Sequence, residues 1–113
     1  MTIDETIHGH VAVLSLKGNL LGEPEITKLR ETIYRLAERN QTQIVVDLGG
    51  VKAINSTGLG ALVAALVSLR TRKGQMHLAR STDKVQSLIM ITRLFKVFKI
   101  YETVERAVAD LEG

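Results

Sequence analysis

Apolar and polar residues alternate at the start of the chain, then change period. Ile3, Glu5 and Ile7 lie two apart between polar neighbours, and Val11, Val13, Leu14 and Leu16 follow beyond His8-Gly9-His10. A period of two with β-branched residues predicts two strands, over 2–8 and 10–17, joined by a tight turn. Lys17-Gly18-Asn19 closes the second strand, and Leu20, Leu21, Gly22 and Glu23 form a loop. The spacing of Ile26, Leu29, Ile33, Leu36 and Ala37 then predicts a helix over 24–39. Pro24 suits its first position, where a missing N–H is not needed. Glu25 and Arg39 lie in the end turns whose dipole charge each complements.

The continuous apolar run Ile44-Val45-Val46-Asp47-Leu48 predicts a strand buried on both faces, ended by Gly49-Gly50. Val51 to Asn55 is a connection, and Asn55-Ser56-Thr57 is a capping cluster. The helix that follows, 57–72, is apolar nearly all round. Such a helix is either deeply buried or keeps a face for a partner, including a second copy of the chain. Arg72-Lys73-Gly74 stops it, and Met76 to Ala79 is a strand. Ser81-Thr82-Asp83 caps a third helix with Val85, Leu88, Ile89 and Thr92 inward. Val97 to Tyr101 is a short last strand, and Glu102 to Leu111 a last helix. The order β-β-α-β-α-β-α-β-α predicts a single α/β domain over 1–113. Its mixed sheet has four to five strands, with about four helices and right-handed crossovers.

Composition narrows the chemistry. The 113 residues include no cysteine, which excludes disulfides, thiolate metal sites and a cysteine nucleophile. The N-terminus shows no basic segment followed by an apolar one, so no secretory signal is expected and the chain reads as cytoplasmic. The longest apolar stretch, Leu59 to Val67, is well short of the roughly 20 residues of a membrane span. The net charge of +3 is unevenly laid out. Residues 1–51 carry five Lys/Arg against seven Asp/Glu, 52–99 carry nine against Asp83 alone, and 100–113 carry one against four. No aromatic residues are interleaved with the basic ones to stack on bases, so direct nucleic-acid binding is not expected.

Enzymatic and ligand-binding patterns are weak. Gly58-Leu59-Gly60 lacks the lysine of a phosphate loop and the third glycine of a dinucleotide fingerprint. His8 and His10 flank a turn and His77 lies elsewhere, which predicts no metal site and no cofactor. Ser56 has no Gly-x-Ser-x-Gly elbow around it, so no catalytic residues are assigned. What remains is a pair of hydroxyls, Ser56 and Thr57, at a helix start. They serve there as caps, and the free N–H groups and positive dipole end would also favour an added phosphoryl group.

The stretch Val45-Val46-Asp47-Leu48-Gly49-Gly50-Val51-Lys52-Ala53-Ile54-Asn55-Ser56-Thr57-Gly58-Leu59-Gly60 closely resembles the signature of the STAS domain, above all the bacterial anti-sigma factor antagonists. Leu14 to Leu20 and Val85 to Phe98 resemble other parts of the same family in order, so the likeness spans nearly the whole chain. The resemblance implies a regulator of transcription that acts by partner switching and is not an enzyme. Its partners would be an anti-sigma factor serine kinase and a PP2C-type phosphatase. Ser56 would be the phosphoacceptor, Thr57, Gly58 and Gly60 a turn approached closely by the partner, and Asn19, Leu20, Leu21, Gly22, Glu23 and Asn55 further contact surface. Three positions depart from the family pattern: Asn55 stands for its aspartate, Leu21 for an acidic loop residue, and Arg93 for a glycine after the third helix. Asn55 and Leu21 favour an alternative, a STAS interaction module that is not phosphorylated, such as a scaffold or a lipid-transport accessory subunit.

Overall fold

The computed structural model describes residues 1–113. Strands β1 (Thr2–His8) and β2 (Val11–Leu20) lead to helix α1 (Glu25–Glu38), strand β3 (Gln43–Ile54), helix α2 (Ser56–Arg70) and strand β4 (Gln75–Ala79). Helix α3 (Asp83–Ile91), a 3₁₀ turn (Leu94–Lys96), strand β5 (Ile100–Tyr101) and helix α4 (Val104–Glu112) complete the chain. The sheet is ordered β1-β2-β3-β4-β5. β1 pairs antiparallel with β2, and the other pairs are parallel. The mixed five-stranded sheet and the alternation of elements agree with the sequence pattern.

Because strand side chains alternate between faces, each strand feeds two cores. Ala12, Leu14, Leu16, Ile44, Val46, Leu48, Met76 and Leu78 meet the buried faces of α1, α2 and α3. The intervening Val11, Val13, Val45 and Ala79 meet Ala107 and Val108 of α4 on the other side. β3 is sandwiched between them, which is why its run Ile44 to Leu48 is apolar at nearly every position.

The boundaries differ from expectation where glycine was read as a stop. β2 continues to Leu20, and β3 runs through Gly49-Gly50 to Ile54. Their pairing shifts between Ser15 and Lys17 and again between Gly18 and Asn19, so the glycines mark bulges within strands. At Gly50 a Cβ would lie 2.8 Å from the Leu16 carbonyl oxygen, and Gly18 has φ +115°. Pro24 caps α1 from outside rather than opening it, with ψ near zero. Thr92 does not pack inward; its hydroxyl donates to the Leu88 carbonyl at 2.8 Å, ending α3. The last strand contracts to Ile100–Tyr101 because Leu94–Lys96 turns as a 3₁₀ helix and draws Phe98 into the core.

Candidate functional site

The C-terminal ends of β2 and β3 and the starts of α1 and α2 meet at one end of the sheet. Asn19 pairs with Ala53 and Leu20 with Ile54, so the expected loop residues and the Asn55–Gly60 motif come together. Asn55 holds the two segments in place. Its Oδ1 accepts from the Gly58 N–H at 2.9 Å, capping α2, and its Nδ2 donates to the Leu21 carbonyl at 3.0 Å. An aspartate could make the first bond but has no donor for the second. The amide at position 55 therefore has a structural role that an aspartate could fill only in part.

Ser56 and Thr57 are exposed in the first turn of α2. Their N–H groups find no acceptor within the chain, since Asn55 takes those of Gly58 and Leu59. No acidic residue lies in this turn. The Ser56 hydroxyl thus stands at the positive end of a 15-residue helix beside two free donors, a setting suited to an anion.

The surrounding residues divide. Leu21 is 43% exposed and leaves an apolar spot beside the motif. Asn19 is exposed and Gly22 partly so. Leu20, expected in a contact loop, is the buried last residue of β2, so its side chain serves the core. Glu23 is exposed but engaged, because its carboxylate accepts from the Thr27 N–H at 2.9 Å. The Thr27 bonds hold its carboxyl pKa below the ordinary glutamate range. The two glycines also separate. A Cβ on Gly58 would fall 2.0 Å from the Leu20 carbonyl oxygen, so its close approach is to the chain's own β2. Gly60 has nothing within 4 Å and faces outward.

Two polar clusters lie elsewhere. Asp47, almost buried, accepts from Arg80 Nε at 2.8 Å, Arg80 Nη2 at 3.1 Å, the Gly49 N–H at 3.0 Å and the Ser15 hydroxyl at 3.2 Å. Burial pushes its carboxyl up, but the Arg80 and Gly49 bonds, the Arg80 charge and Ser15 outweigh that and hold it below the usual range. A carboxylate inside the apolar run Ile44 to Leu48 is the sequence signal for this cluster. His77, also buried, bonds Asp110 Oδ2 at 2.7 Å, tying β4 to α4. No group of three or more potential ligands is placed to hold a metal ion.

Comparison with known proteins agrees with this architecture. The STAS domain family model matches residues 2–107. A Thermotoga neapolitana protein whose name carries the words anti-sigma factor antagonist is 29% identical over 75 residues, 66% of each chain. The anti-sigma F factor antagonist of Paenibacillus polymyxa is 23% identical over 112 residues, covering 99% of this chain and 96% of its own. The crystal structure of an anti-sigma factor antagonist from Mycobacterium paratuberculosis superposes with a TM-score of 0.87 at 23% identity, covering 99% of this chain and 94% of that one. With the family pattern matched from β1 into α4, over residues 2–107 of 113, the chain belongs to the STAS domain family.

Proposed function

We propose that this chain is an anti-sigma factor antagonist that works by partner switching through Ser56. Unphosphorylated, it binds an anti-sigma factor serine kinase. The kinase transfers the γ-phosphoryl group of ATP to the Ser56 hydroxyl oxygen, ADP leaves, and the modified chain is released until a PP2C-type phosphatase hydrolyses the ester. The observation that carries this reading is the exposed Ser56 hydroxyl at the start of α2, with two unused N–H groups beside it. A phosphoryl group there adds about −1.5 to −2 charge, which the helix terminus accommodates within the fold. In a docked interface the same charge must be desolvated. A penalty of ~3 kcal/mol weakens binding more than a hundredfold. Named relatives support the role: one bears the anti-sigma F factor antagonist name, and the Bacillus protein SpoIIAA has been solved in a phosphorylated form on the same fold, with a TM-score of 0.76.

The test is incubation with the cognate kinase and ATP. The mass rises by one phosphate, and Ser56→Ala shows no rise. Modification of Ser56→Ala at the wild-type rate refutes the assignment of this residue. A second reading, a STAS interaction module that is never phosphorylated, is favoured by the Asn55 bond to Leu21 and by the apolar Leu21 surface. It is the reading that stands if the kinase leaves the chain unmodified while a transporter ATPase co-purifies with it.

A further inference from the structure

The basic excess of residues 52–99 is not used by the Ser56 site, and the fold gathers part of it elsewhere. α2 begins at Ser56 and ends at Arg70, so these residues are about 21 Å apart along the helix axis. At the Arg70 end a shallow depression of about 230 Å³ is lined by Arg70, Phe95, Lys96 and Lys99, with Gln75 and the edge of β4 behind them. Lys73 follows Arg70, and Arg93 precedes the 3₁₀ turn. None of these five cations forms an ion pair. No acidic residue occurs between Asp83 and Glu102.

Large apolar side chains stand in the same segment. Ile91 is 79% exposed, Met90 52% and Phe95 43%. Helix C-termini attract cations, which accounts for some of the charge. It does not account for the apolar tips. Arg93 also adopts a left-handed backbone with φ 61°, at the position after a helix where glycine fits without strain.

We infer that this end of the molecule docks on an anionic lipid bilayer, with Ile91, Met90 and Phe95 entering the headgroup region and the unpaired cations meeting lipid phosphates. The charge complementarity selects an anionic surface. Three projecting side chains bury far less than the ~800 Å² per partner of a stable protein interface, whereas a bilayer yields to projecting groups without matching their shape. Each surface cation strengthens such binding about fivefold. The bilayer contact is independent of the Ser56 reading and leaves that end of α2 free.

The experiment is co-sedimentation of the full chain with vesicles of phosphatidylcholine alone or mixed with phosphatidylglycerol, at low and physiological salt. The chain sediments with the mixed vesicles at least tenfold better than with phosphatidylcholine, and salt weakens the association. Ile91→Asp and the double change Lys96→Glu/Lys99→Glu each lower it tenfold or more, at unchanged thermal unfolding. Ser56→Ala leaves it unaltered. Absence of binding to the mixed vesicles at low salt overturns the inference, as does wild-type binding by Ile91→Asp. A concentration-dependent dimer that Ile91→Asp abolishes, without vesicle binding, assigns the face to a second copy and overturns it too. Competition by millimolar inorganic phosphate that leaves no preference for vesicles shows a free-anion site and likewise rejects the bilayer.

Discussion

Gly58 and Gly60 lie two residues apart in α2, and alanine should act oppositely at the two positions. At Gly58 a methyl group would sit 2.0 Å from the Leu20 carbonyl oxygen and 3.0 Å from its carbon, where ordinary contact begins at 3.4 Å. The obstacle is backbone paired to β3, so α2 would have to retreat by about 1.4 Å or the β2 end would have to give. Overpacking costs ~1–3 kcal/mol, and a backbone obstacle puts this case at the upper end. Alanine returns ~1 kcal/mol of helix propensity, so Gly58→Ala is destabilised by a net ~2 kcal/mol. At Gly60 the methyl meets nothing within 4 Å, only the propensity gain remains, and the variant is stabilised by ~0.5–1 kcal/mol. With an unfolding entropy of ~2.1 cal/mol/K per residue over 113 residues, each kcal/mol moves the midpoint by about 4 °C. Thermal unfolding followed by circular dichroism should place Gly58→Ala about 8 °C below the wild type and Gly60→Ala about 2–4 °C above it. A Gly58→Ala midpoint at or above the wild type would refute the jammed contact between α2 and β2.

Other changes probe the polar framework. Asn55→Ala removes both the Gly58 cap and the bond to Leu21, and should cost ~1 kcal/mol in urea unfolding, with faster amide exchange at Gly58. Asp47→Asn breaks the pair with the half-exposed Arg80 and should cost only ~1 kcal/mol, since solvent screens that cation. Because the folded Asp47 carboxyl lies below its unfolded value near 3.9, its contribution is fully present above about pH 4. It is lost as the pH falls through the folded value. Urea midpoints measured from pH 6 downward should therefore drop less steeply for Asp47→Asn than for the wild type, and parallel curves would contradict the assigned pairing.

The fold was legible wherever periodicity reports burial. Ile26 to Ala37 and Ile44 to Leu48 gave α1 and the centre of β3, because their patterns match one buried stripe and two buried faces. The ends were less legible. Gly18, Gly49 and Gly50 look like stops in one dimension, yet a bulge and a stop both call for a residue without Cβ. Only the pairing of β2 with β3 distinguishes them. The site shows the same division. Ser56 could be located because capping residues have local signatures, and it lies exposed at the helix start. The role of Gly58 against Leu20 could not be read, since it depends on two segments 38 residues apart meeting at one end of the sheet. The carboxylate within the apolar run marks Asp47, but its partner Arg80 and the partner of His77, Asp110, were unreadable for the same reason.

Because the strands are laid down side by side in chain order, the three intervening helices share one flank of the sheet, and α4 alone shields the other. The two flanks therefore depend on different stretches of the chain. The larger flank has all of its components once Phe98 and Ile100 are in place, while Val11, Val13 and Val45 stay uncovered until α4 docks. Without α4 the sheet would stand half-dressed, and α4 is the latch that closes it.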